Sequence, residues 1–190
     1  YDNGASGIGS VDNIEYAAIV GNIAYSNVSS NFGGSGISKH TTYTANVSFD
    51  AGTADSITSY EVGTDHVVAV ANIASGGDNH GIHLGGSFVV VAANAIDAPV
   101  KSGVHTLRAS GASSGVVIAA NAIDGPQDSG VNFDTTGQFT AGLNVIISPT
   151  DFGVLMDASG IDGVVAANLI KSVGVDGIRT DATGSQLTII

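Results

Sequence analysis

The chain has 190 residues and a formal net charge of −12, with only 12% charged residues and no cysteine. Such a chain repels a phosphate backbone, has no disulfide framework, and is too apolar, at 43% hydrophobic, for an acidic disordered tail. No apolar run approaches the roughly 18 residues of a membrane-spanning helix, so membrane insertion is not expected.

Good helix formers are scarce, whereas Val, Ile, Thr, Ser, Gly and Asn are common. That balance favours strands and turns. In chain order, an Asn closes an apolar segment at positions 22, 46, 72, 94, 121, 144 and 168, with spacings of 24, 26, 22, 27, 23 and 24 residues. The residue before it is Gly21, Ala45, Ala71, Ala93, Ala120 or Ala167, with Leu143 as the exception. A second mark runs in phase. Gly followed by Ile or Val occurs at 7–8, 36–37, 81–82, 103–104, 130–131, 153–154 and 177–178, and Ser56-Ile57 stands as a degenerate copy.

Each repeat thus reads as a turn, a Gly-Ile/Val strand, a loop, a Val-rich strand, the Asn corner and a short third strand. No 3.6-residue period runs through it, so a helical repeat is excluded. A coil that winds once per repeat satisfies the pattern: equivalent strands stack about 4.8 Å apart and pair with their copies above and below. The Asn column then forms a ladder of stacked amides at a tight corner. Asn itself is expected to adopt the left-handed backbone there, with a small residue before it to fit a crowded bend.

These features resemble the right-handed parallel β-helix of the pectin-lyase-like superfamily. The segments "YDNGASGI", "IVGNIAYSN" and "GSGISKH" are similar in style to repeats of bacterial polysaccharide lyases and uronan epimerases. The expected architecture is all-β: one β-helix domain over residues 1–190, of about seven to eight coils. No capping helix is evident at either end. That predicts a piece of a longer β-helix, or ends covered by parent-chain neighbours or by a homo-oligomer such as a trimer. The resemblance implies a polysaccharide partner and an extracellular or cell-surface location.

Alternation after each Gly-Ile/Val mark sends two columns outward. The first is Ser38, Thr58, His83, His105, Asn132, Leu155 and Arg179. The second is His40, Tyr60, Gly85, Leu107, Asp134, Asp157 and Asp181. Three Asp on consecutive coils repel unless a cation, a proton or an Arg offsets them. Resemblance to calcium-dependent lyases implies a Ca²⁺ held by Asp134, Asp157 and Asp181. It also implies proton transfer at the sugar C5 by Arg179 or by a histidine (His83 or His105), with Asn132 and Tyr60 binding substrate. Paired carboxylates such as Asp157 and a neighbour also suit glycoside hydrolysis. The plain alternative is that these Asp are solvated turn residues. His80, His83 and His105 likewise form either a surface ladder or part of a metal site.

Asp78, Asp128 and Asp151 are expected to make local turn bonds. Lys39 falls on a nominally inward position, which signals a register error nearby. "GASSG" at 111–115 lacks the helix that a nucleophile elbow needs. Asn27 and Asn46 sit in glycosylation sequons. The absence of Trp weakens sugar stacking. Two function classes remain: a β-helix acting on or binding an acidic polysaccharide, with lyase-type β-elimination preferred, and a structural or adhesive β-helix such as a surface protein, phage fibre or autotransporter-like stalk.

Overall fold

Val- and Ile-rich segments too short to bury themselves gain a core only by stacking on copies of themselves. In the computed structural model they do so in three parallel sheets. The structure describes residues 7–10, 15–34, 39–59, 65–107, 113–134, 137–157, 161–181, 183 and 186–190.

The first sheet stacks eight strands, Ile8–Ser10, Phe32–Gly34, Ile57–Ser59, Ile82–Gly85, Val104–Leu107, Val131–Asp134, Phe152–Met156 and Asp176–Thr180. The second sheet also has eight, from Ala17–Val20 to Gln186–Ile189. The third has seven, from Ile23–Tyr25 to Leu169–Lys171. Each strand pairs with its equivalent one coil away, always in parallel. Six full circuits separate Asn22 from Asn168, slightly fewer than the seven to eight coils counted from partial repeats at the ends.

Inside, like lies on like. Ile82, Val104, Val131 and Val154 form one buried file, and Ile96, Ile123 and Ile146 another. These files explain the glycine of the Gly-Ile/Val mark. A Cβ on Gly103 would meet Ile123 Cγ2 at 2.4 Å and the Gly130 carbonyl oxygen at 2.8 Å. The corner between the first and third sheets is therefore closed by the isoleucines, and only a bare backbone fits beside them.

The asparagine ladder forms, but not through the backbone geometry expected for it. The left-handed residues are those just before each Asn: Gly21, Ala45, Ala71, Ala93, Ala120, Leu143 and Ala167, at φ of 51° to 68°. The corner is open there, since Leu143 is 66% exposed and a Cβ on Gly21 would touch nothing within 4 Å. Crowding therefore does not select the small residue. The Asn side chains instead carry hydrogen bonds. Asn121 Nδ2 donates to Asn144 Oδ1 (2.9 Å) and to the Val91 carbonyl (3.0 Å). Its Oδ1 accepts from the Asn94 amide nitrogens of backbone (3.1 Å) and side chain (2.9 Å). The same bonds recur at Asn46, Asn72, Asn94 and Asn144. Asn27 and Asn46 are buried, which closes both sequons to a glycan.

One repeat mark is displaced. Phe32 and Gly33 pair with Ile57 and Thr58, so the coil enters the first sheet at Asn31-Phe32, while Gly36-Ile37 lies outside the described residues. His40 accordingly lies in the second sheet, in Lys39–Thr44, and Lys39 is exposed. A buried Phe serves the inward file as well as Ile does, and the following Gly-Ile pair carried the misleading signal.

Candidate functional site

The outward side of the first sheet departs most from the repeat. From His83 onward the predicted columns are in register. His83 pairs with His105, His105 with Asn132, Asn132 with Leu155, and Leu155 with Arg179. Leu107 pairs with Asp134, and the backbone N–H groups of Asp157 and Asp181 bond to Phe133 and Met156 in the same sense. Tyr60 and Ser38 lie outside the described residues. His40 does not join this face.

The histidines converge. The His83 and His105 rings stack with centroids 4.6 Å apart, and His80 lies 4.9 Å from His83 and 4.4 Å from His105. Asp55, not singled out in the sequence, organises them. It is 3% exposed, and its Oδ2 lies 3.1 Å from His83 Nδ1. Its Oδ1 accepts from the His80 backbone N–H at 3.1 Å and the Asn79 amide at 2.8 Å. A carboxylate on Nδ1 fixes the ring and directs the other nitrogen away from it. Asp55 escaped notice because it precedes the degenerate Ser56-Ile57 mark, in a buried polar file with His80, Ser102 and Ser129. Its signal was a polar residue two before each strand.

Burial, then the charge of His83, holds His80 down to about 4; the same two causes, with His80 and Lys101 adding to them, hold His105 down to about 2. Both rings are thus neutral at pH 7. The Ser102 backbone N–H donates to His80 Nδ1 at 3.2 Å. Asp128 accepts from the hydroxyl of Ser129 beside it (3.1 Å) and from that of Ser102 one coil away (3.3 Å). Buried polar atoms without a hydrogen-bond partner among the described residues line up beside the cluster: Thr58 Oγ1, His105 Nδ1 and Asn132 Oδ1.

The acidic column forms a second group. Burial, and next the Asp157 charge, raise the Asp134 carboxyl above its usual value. Asp181 is held by Arg179, whose Nε lies 3.0 and 3.1 Å from the two carboxylate oxygens. That bond keeps the guanidinium firmly charged. Arg179 Cζ also sits 5.0 Å above the Phe152 ring. Three strand steps separate Arg179 from His105, about 14 Å at the usual spacing. The histidines and the arginine therefore face different places on an extended ligand.

No family model matches the chain, and no curated protein matches it in sequence. Among solved structures, the periplasmic alginate epimerase AlgG superposes on 99% of the chain with a TM-score of 0.57 at 13% identity. The chain has the right-handed parallel β-helix fold. It spans about half (49%) of the length of that epimerase. Among the described residues of this β-helix, no helix is long and apolar enough to cross a membrane.

Proposed function

We propose that this β-helix acts on an acidic polysaccharide laid along the outer face of the first sheet, with proton transfer at C5 of a uronate as the chemical step. The observation that carries the reading is the Asp55–His83 hydrogen bond at 3.1 Å, with the His105 ring stacked on the oriented imidazole. Such a pair suits a general base. His83 takes the C5 proton and the electron pair passes into the uronate carboxylate. In β-elimination, the favoured outcome, the C4–O bond then breaks and the departing oxygen takes a proton from water or from the newly protonated His83, while His105 stays neutral. In epimerisation, the outcome matching the name of the structural neighbour, C5 regains a proton from the opposite side.

The face must also bear the substrate's charge, because the chain as a whole is strongly acidic. Lys101 lies near the histidines, and Arg179 would meet a sugar several units along. Asp134 and Asp157 fit a calcium ion: they offer hard oxygen donors on adjacent coils and repel one another, a repulsion that His83 and Arg179 offset only from a distance. Ca²⁺ held there would neutralise a uronate carboxylate. Asn132 Oδ1, buried and without a hydrogen-bond partner among the described residues, is suited to a sugar hydroxyl. The reading places the protein outside the cytoplasm, where such polymers are met.

The test is incubation with alginate and with pectate, with and without Ca²⁺. Unsaturated uronate is followed by ultraviolet absorbance and epimer content by proton NMR. Either signal, lost in His83→Gln and diminished in Arg179→Ala and Asp157→Ala, supports the reading; silence on both polymers and a wider polysaccharide panel removes it.

A specific feature favours a second reading, the structural or adhesive one. The third sheet exposes Ile23, Ile73, Val145 and Leu169, and Ala95 and Ala122 leave a groove of about 350 Å³ between the larger side chains. A homo-oligomer seated there would appear as a trimer or dimer in sedimentation.

A further inference from the structure

The histidine cluster has a donor set that proton transfer alone does not require. His80, His83 and His105 bring ring nitrogens to within 4.8 Å of one another, from two adjacent coils. The Asp55 carboxylate on His83 Nδ1 is the arrangement that fixes a metal-binding imidazole and turns Nε2 to the ion. His105 Nδ1 is buried with no hydrogen-bond partner among the described residues, an arrangement that a ligand taking its lone pair would repair.

We propose that His80, His83 and His105 form a site for a divalent transition metal, zinc by preference, with Asp55 as the carboxylate behind His83. Three imidazoles and no thiolate suit zinc, copper or cobalt and disfavour calcium, which selects oxygen. The site is separate from the calcium position at Asp134 and Asp157. Three protein ligands leave a fourth position for water or a ligand atom.

Capture has identifiable costs. The nitrogens must close to about 3.3 Å for a tetrahedral ion with bonds of about 2.0–2.1 Å. Coordination through His80 Nδ1 gives up the bond from the Ser102 N–H. The Lys101 charge opposes the ion, whereas Asp55 and Asp128 favour it. The inference does not rest on the polysaccharide reading. It has a consequence for it, because a metal on His83 occupies the nitrogen that would accept the C5 proton. Metal-bound and proton-transferring forms exclude each other.

The experiment titrates the full chain with Co²⁺, followed by visible absorption, and with Zn²⁺, followed by calorimetry. The account expects one ion per chain, the strong visible bands of tetrahedral cobalt, and displacement by Zn²⁺ but not by Ca²⁺. His105→Gln weakens binding at least 100-fold, and Asp55→Asn about 10–100-fold. The double variant H40Q/H66Q, which removes the two remaining histidines, binds as the parent does. Circular dichroism establishes that each variant is folded. Lys101→Gln lies on the surface and removes a like charge, so it tightens binding several-fold with the coils intact. No stoichiometric binding, a weak octahedral cobalt spectrum, loss of binding in H40Q/H66Q, or no gain in Lys101→Gln overturns the proposal. Zinc binding by a protein inert toward every polysaccharide sustains the site and refutes the catalytic reading. Catalysis with no zinc binding does the reverse.

Discussion

The asparagine corner and the outer face of the first sheet are built by the same coil, yet they obey opposite rules. At the corner every coil repeats one residue, and the Asn amides are satisfied along and across the stack. On the outer face each coil differs: Thr58, His83, His105, Asn132, Leu155 and Arg179 share one file, and Thr58, His105 and Asn132 each leave a polar atom buried without a partner among the described residues. Identity from coil to coil serves stability. Departure from identity marks the surface where a ligand can supply what the protein does not.

The largest effect should come from breaking the regular region. Asn121→Ala removes four hydrogen bonds: the buried Asn94 backbone N–H loses its acceptor, and the Asn94 side-chain amide, Asn144 Oδ1 and the Val91 carbonyl each lose one partner. At about 1–3 kcal/mol for an unsatisfied group, partly relieved by water, a loss on the order of 4 kcal/mol is expected in denaturant unfolding. A loss under 1 kcal/mol would mean the ladder is ornamental.

The irregular region should show itself through pH. His80 and His105 are neutral when folded and take protons near 6.5 when unfolded. Their folded values are depressed, so the stability they allow is fully present above about pH 6.5. It falls as pH drops through the window down to about 4 for His80, and further for His105. For His80 alone the loss is about 3 kcal/mol. Unfolding midpoints at pH 7 and pH 4.5 measure it, and replacing both histidines by Gln should flatten the difference. An equal loss in that variant would place the acid sensitivity elsewhere.

The smallest effect sharpens the corner. Ala93 holds a φ of 54°, which costs a non-glycine residue roughly 1 kcal/mol. Ala93→Gly relieves that strain but adds freedom to the unfolded chain, so a net gain of about 0.5 kcal/mol is expected. A destabilisation above 1 kcal/mol would show that the Ala93 methyl is needed for packing.

What the sequence revealed follows from this contrast. Repetition is visible in one dimension, so the Asn period, the Gly-Ile/Val mark and the register from His83 to Arg179 could all be read from it. The left-handed residue could not, because a run such as Ala93-Asn94 does not say which of the two bends. Gly36-Ile37 mimicked the mark that Asn31-Phe32 supplies in space. Asp55 was hidden because its partner His83 is 28 residues away and one coil distant. The Asp134, Asp157 and Asp181 column was legible, but the pairing of Asp181 with Arg179 depends on side-chain reach within one strand.

The central claim is that the Asp55–His83 pair abstracts a proton from a uronate laid across it. Exchange in D₂O tests it directly, because β-elimination and epimerisation share that first step. Polyuronate incubated with the protein should gain deuterium at C5, or yield unsaturated ends, at a rate that falls at least 100-fold in His83→Gln and recovers in no surface-histidine variant. Retention of every C5 hydrogen with no chain cleavage, or an undiminished rate in folded His83→Gln, would contradict it.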